Sequence, residues 1–228
     1  MPITVIATTI TEAMIKTYSA ADGPLRVLFL MATEAEYGAA LRTLIEPVII
    51  GVGPVEAGVR TLKALNDHSA DLVVNLGSAG SRSLKQAEIF QVSHVSYRDM
   101  DASPLGFEKG VTPFLDLPAE LFIPQRLPGI PTARIATGAS IVNGSQYDAI
   151  DADMVDMESY AVLRACMIAG AGMICLRGVS DGVEEIRRFS DWTFYLAEID
   201  AQLAAIVRSL PDAFAALPKA YWKAPISN

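Results

Sequence analysis

Three runs of this chain are apolar along their length and turn polar only at the carboxyl end. Residues 25–32 lead into Glu34 and Glu36, residues 72–76 into Gly77-Ser-Ala-Gly80, and residues 173–176 into Arg177, Ser180 and Asp181. Short unbroken apolar runs bounded by glycine or turn residues read as strands buried on both faces. In an open α/β sheet, ligands sit beyond the carboxyl ends of such strands. Side by side, these three would bring two carboxylates, an arginine and a small-residue loop to one crevice. Further strands are expected at residues 48–50, 88–97 and 134–138, with a short extended segment at 154–158. Residues 34–44 predict a helix, Thr33 serving as N-cap and Glu36 as the N3 member of a capping box. Gly51-Val-Gly-Pro54 predicts a tight turn into a second helix, with Val55, Val59, Leu62 and Leu65 as its apolar stripe. A third helix runs to about Ala169 and is rich in small residues (Ala161, Ala165, Ala169). Phe189-Ser-Asp-Trp192 caps the last long helix, whose core face is Leu196, Ile199, Leu203, Ile206 and Leu210. A helix is expected over residues 10–18, within an N-terminal extension (1–24), and the tail from Pro211 is expected to be peripheral. Residues 98–131 are loop-rich and proline-punctuated, the mark of a functional or interface segment. The whole, residues 1–228, reads as one α/β domain: a three-layer αβα sandwich around a mixed, largely parallel twisted sheet.

Composition narrows the partners. The chain has 228 residues, 51% hydrophobic and 19% charged, with a net charge of −8 and no run of Lys or Arg. Neither nucleic acid nor an anionic membrane is expected as a partner, since both require a basic footprint. Cys166 and Cys175 form no Cys-x-x-Cys pair and read as reduced core thiols. His68 and His94 match no metal spacing, so no metal and no cofactor are expected. With no transmembrane run and no basic leader, the expected location is the cytoplasm.

Each candidate carboxylate also has a plain structural reading. Glu36 can belong to its capping box, Asp181 can cap a turn, and Glu158 can be a first-turn acid favoured by the helix dipole. Together they say more, because all three fall at the same edge of one sheet. A carboxylic acid, a second carboxylate and a hydroxyl-binding group in one crevice suit cleavage of a glycosidic bond. One protonates the leaving group, another activates water, and the transition state resembles an oxocarbenium ion.

Seven motifs occur in a telling order: Ala32-Thr-Glu-Ala-Glu36, Gly51-Val-Gly-Pro54, Asn75-Leu-Gly-Ser-Ala-Gly80, residues 97–110, Ile141-Val-Asn-Gly-Ser145, Asp156-Met-Glu158 and Arg177-Gly-Val-Ser-Asp181. Over residues 25–210 the chain thereby resembles the 5′-methylthioadenosine/S-adenosylhomocysteine nucleosidases of the nucleoside phosphorylase superfamily. The resemblance implies that Asp181 protonates or hydrogen-bonds the purine at N7, and that Glu36 activates water with help from Arg177 and Ser78. Glu158 would bind the ribose hydroxyls and Met157 would lie against the sugar. Val142 and Ile141 would meet the base, Ile141 replacing a stacking phenylalanine. Val52, Ser180 and Phe189 join the substrate-binding set, with Thr33 and Leu105 near the 5′ substituent, where the family carries methionine and phenylalanine. Phe107 would reach a partner subunit's site, implying a homodimer. Asp156 replaces a glutamate, and the family's hairpin between the first two helices is missing. A phosphorylase of this superfamily would carry an arginine at the place of Asn75 and a Gly-Asp-Pro-x-Arg motif after the first strand; Glu34 and Glu36 here would repel phosphate. A non-catalytic nucleoside-binding protein is the remaining alternative.

Overall fold

The computed structural model describes residues 14–223. Residues 10–13 of the expected first helix lie outside that span. The rest of it is a strand, β1 (Ile15–Ala20), which pairs antiparallel with β2 (Gly23–Met31). Tyr18 of β1 packs edge-on to Phe29 and Phe214, a core contact that outweighs local helix preference. There follow α1 (Ala39–Arg42), β3 (Val48–Ile49), α2 (Pro54–His68), β4 (Leu72–Gly80), β5 (Ile89–Tyr97), β6 (Glu120–Phe122), β7 (Thr132–Thr137), β8 (Met154–Asp156), α3 (Ser159–Ala169), β9 (Gly172–Asp181), α4 (Phe189–Thr193), α5 (Leu196–Ala215) and α6 (Lys219–Lys223).

The sheet is mixed. β2, β4 and β9 lie side by side and parallel, as the apolar runs predict. β9 then pairs antiparallel with β5, β5 parallel with β7, and β7 parallel with β8. After an irregularity between Ala79 and Gly80, Gly80 at the tip of β4 pairs with both Asp181 of β9 and Val155 of β8. The strands therefore close a circuit that brings β8 to the tips of β4 and β9. Period-two alternation divides the core between two faces. Leu28, Leu30, Val73, Met173 and Cys175 pack under α2 and α3. Phe29, Met31, Val74, Leu76, Ile174 and Leu176 pack under α1, α5 and α6. The result is the expected αβα sandwich.

Four local expectations fail. Residues 34–36 form a turn, and α1 begins only at Ala39 with Gly38 as N-cap, so Thr33 and Glu36 make no capping box. The first N–H groups are satisfied from across the fold: Gly38, Ala40 and Leu41 all donate to the buried carboxylate of Asp200, at 2.8–3.2 Å. On α2 the expected stripe is split: Leu65 is buried and Leu62 packs against the core, but Val55 and Val59 are 76% and 66% exposed while Ala57, Thr61 and Ala64 take the inner face. Where α2 meets α3, a Cβ at Gly58 would already be in van der Waals contact with the Ala161 side chain, at 3.5 Å, so this face suits small residues. Phe189–Trp192 forms a separate short helix, α4, and α5 starts later, at Leu196. Finally, the tail is not peripheral over residues 211–223, residues 224–228 lying outside the described span: α5 continues through Pro211, and Phe214 and Trp222 are fully buried against each other. A helix-interior proline costs about 3 kcal/mol, while each buried aromatic, at ~150–250 Å² and ~25 cal/mol/Å², returns about 4–6. Within the loop-rich segment, β6 joins the sheet edge and Leu121 and Ile123 enter the core.

Candidate active site

A cleft of about 510 Å³ opens at the carboxyl edge of β2, β4 and β9, where the strand tips turn polar. Thr33, Glu36, Val52, Ser78, Ile141, Val142, Met157, Glu158, Ser180, Asp181 and Phe189 all line it. The fold thus gathers residues from seven separated stretches of sequence.

At one wall, Glu36 sits on the turn after β2 and is 8% exposed. Its Oε1 accepts two hydrogen bonds from Ser78, from the backbone N–H and from the hydroxyl, both at 2.7 Å. Ser78 Oγ in turn accepts from Trp192 Nε1 at 3.0 Å. Oε2 is buried with no hydrogen-bond partner. Burial pushes the Glu36 pKa up, against the opposing pull of the Ser78 hydrogen bonds and the Arg177 charge. A buried carboxylate with one oxygen fixed and the other free can take a proton from water. Glu34 does not share this role: it is exposed and pairs with Arg42.

Arg177 is not on the cleft surface and does not hydrogen-bond Glu36. It is 2% exposed and donates to Asp156 Oδ2 (3.1 and 3.2 Å), Asn75 Oδ1 (2.5 Å) and Ser159 Oγ (2.9 Å). The ion pair with Asp156 neutralises a charge that β8 carries to the tips of β4 and β9. Asp156 also accepts from Ser159 N–H, so it, rather than Glu158, serves the start of α3.

Glu158 is freed for the cleft. Its Oε1 accepts from Gly53 N–H at 2.9 Å, and Gly53 holds φ +92°, a conformation that favours glycine. Burial, then the nearby Asp156 charge, raises the Glu158 pKa to about 7. At the far wall, Asp181 accepts from Ser180 Oγ at 2.6 Å, and burial raises its pKa too. The segment after Asp181 is clamped over this end. Asn143 Nδ2 donates to Ile186 O at 3.1 Å, and Ile186 N–H donates to Asn143 Oδ1 at 2.9 Å. Ile141 and Phe189, more than half exposed, form the rim.

Leu105 and Phe107 do not line this cleft. Leu105 is 79% exposed, and Phe107 packs edge-on to Phe114, itself 95% exposed. Conversely, the sequence reading gave Trp192 only a capping role, and Arg98, Arg187 and Arg188 none, although all four line the cleft. Nothing in their local pattern marks them. Among the described residues, no group of three or more His, Cys, Asp or Glu is arranged to hold a metal.

A mixed sheet with helices on both faces and an acid-lined cleft at its carboxyl edge defines a nucleoside phosphorylase-type α/β protein. The chain belongs to the phosphorylase superfamily, whose model matches residues 42–210. It is 31% identical over 151 residues to a 5′-methylthioadenosine/S-adenosylhomocysteine nucleosidase of Haemophilus influenzae (strain PittEE). That match covers 58% of this chain and 66% of the relative, just under two thirds of its length. The fold is shared with the corresponding nucleosidase of Neisseria meningitidis, solved with methylthio-immucillin-A (TM-score 0.67, 23% identity, 80% of this chain and 98% of that one). It is also shared with the futalosine hydrolase of Helicobacter pylori (TM-score 0.72, 18% identity, 82% of this chain and 97% of that one).

Proposed function

We propose that the protein hydrolyses the N-glycosidic bond of an adenosine derivative such as 5′-methylthioadenosine or S-adenosylhomocysteine, releasing adenine and the free thioribose sugar. The observation that carries this reading is Glu36: a buried carboxylate in the cleft, one oxygen held by Ser78 and the other without a partner. A phosphate dianion seated there would meet a carboxylate, whereas water would meet a base. The similarity to the nucleosidases supports the same assignment.

In this mechanism neutral Asp181 gives its proton to purine N7 as the C1′–N9 bond breaks, and the bonding pair leaves with the base. Glu158 accepts hydrogen bonds from the ribose hydroxyls and faces the positive charge that develops on the sugar ring. Water adds to C1′ and Glu36 takes its proton, so the sugar leaves with a hydroxyl at C1′. Arg177 acts from behind the wall, holding Asp156 and Asn75. Phe107, packed on the exposed Phe114, and the exposed Val55 and Val59 are the apolar groups through which a second copy would pair, in the cytoplasm.

The deciding experiment incubates 5′-methylthioadenosine, S-adenosylhomocysteine, adenosine, inosine and futalosine with the protein, with and without phosphate. Adenine and free sugar should form at a rate independent of phosphate. Recovery of a sugar 1-phosphate as the main product would make the protein a phosphorylase. Tight binding without turnover would make it a binding protein.

A further inference from the structure

Tyr147 has no part in the mechanism above, yet it meets the leaving-group end of the cleft from behind. It lies on the short 3-10 helix Gly144–Ala149, at whose start the Gln146 side chain accepts from Asn143 N–H at 2.8 Å. Its ring lies under the Arg82 guanidinium, 5.8 Å from the ring centre, and Arg82 is anchored to Asp148. Its hydroxyl is buried with no hydrogen-bond partner. That hydroxyl points at Gly80, where β4 pairs with both β9 and β8. A Cβ at Gly80 would lie 2.7 Å from Asp181 Oδ1 and closer still to Tyr147 Oη. The phenol and the carboxylate oxygen therefore face each other across the space of a missing methyl group. A small rotation, or one water, joins them.

A phenol buried without a partner is costly, and phenylalanine would fill the same space without that cost. Asp181 gives the hydroxyl a purpose. Its Oδ2 is already held by Ser180 Oγ, while Oδ1 has no comparable donor. When Asp181 gives up its proton it becomes a carboxylate in surroundings that disfavour charge, and a second hydroxyl donor would stabilise it at that moment.

Resting on the nucleosidase reading, we propose that Tyr147 is a positioning residue for Asp181, its phenol donating a hydrogen bond to Oδ1 as the proton passes to the leaving base. The phenol keeps its own proton throughout. The other charged groups facing it are Arg98 and Arg82, the latter paired with Asp148.

Tyr147→Phe tests this. Loss of a hydrogen bond to a charged group should lower kcat about tenfold, with KM within about threefold. The alkaline limb of the kcat profile should move to higher pH, because Asp181 then holds its proton longer. A second readout needs no substrate. With aspartate carboxyls labelled with carbon-13 and Asp181→Asn used to assign the signal, Asp181 should titrate at higher pH in Tyr147→Phe than in the wild type. Thermal melts should show a variant as stable as the wild type or more so. An unmoved Asp181 titration would overturn the proposal. So would an unchanged kcat profile, or a clear loss of stability, which would reveal a structural partner instead. If the wild type releases no base from any nucleoside, the functional reading fails separately while the titration still decides the role of Tyr147.

Discussion

Glu36, Glu158 and Asp181 share one cleft but differ in what holds them: two bonds from Ser78, one backbone N–H from Gly53, and one hydroxyl from Ser180. The proposed roles follow from those differences and make separable predictions. Asp181→Asn cannot deliver a proton and Glu36→Gln cannot accept one. Each should lower kcat by ~10²–10⁴-fold, with affinity within roughly tenfold, since neither charge is needed to bind the neutral ground state. Steady-state kinetics on folded variants checks both; wild-type kcat for Glu36→Gln would remove the proposed base. Glu158 adds a stability signature. Its pKa is raised to about 7, so the fold favours its protonated form. That contribution is fully present below the ordinary carboxylate pKa and is lost as pH rises through about 7. Glu158→Gln should therefore gain thermal stability relative to the wild type between about pH 4.5 and 7. Parallel melts across that range measure it, and a constant gap would mean that Glu158 is not perturbed.

Among the elements, α1 depends most on a distant residue. It has four residues, too few to persist alone, and the N–H groups of Gly38, Ala40 and Leu41 at its start end on Asp200 of α5. Asp200→Ala would leave buried donors unpaired and should cost about 2–3 kcal/mol in urea unfolding. Asp200→Asn, which keeps one acceptor oxygen, should cost less. Because the turn carrying Glu36 leads directly into α1, kcat should fall in both variants along with stability. An Asp200→Ala protein with wild-type stability would show that water satisfies the helix start. The outward face of α2 is the converse case. Val55 and Val59 lie at helical spacing on an apolar stripe, yet the layer beneath takes the smaller residues instead.

For the whole molecule, this exposed stripe and the Phe107–Phe114 arm lead to one expectation: the working unit is a dimer. A charge placed in an apolar interface costs several kcal/mol, so Val55→Asp with Val59→Asp should shift sedimentation towards monomer. Phe107→Ala should raise KM for substrates with bulky 5′ groups more than it alters kcat. A fully active wild-type monomer at assay concentration would refute this assembly.

Much of the architecture is legible along the chain because burial on both faces leaves a local signature. The runs at residues 25–32, 72–76 and 173–176 are apolar for that reason, and they do lie side by side with Glu36, Ser78 and Asp181 at their tips. The ordered motifs likewise point to the superfamily to which the chain belongs. Contacts between stretches far apart in sequence are another matter. Whether Glu36 caps a helix or faces a cleft depended on Asp200, more than 160 residues away, satisfying α1 in its place. Whether residues after Pro211 trail off or enter the core depended on a cavity that Phe214 and Trp222 fill together. Arg177 turned from the cleft to Asp156 because the strand circuit carries β8 to the tip of β9. Local periodicity records which face of an element is apolar; the tertiary structure alone decides which partner arrives to cover it.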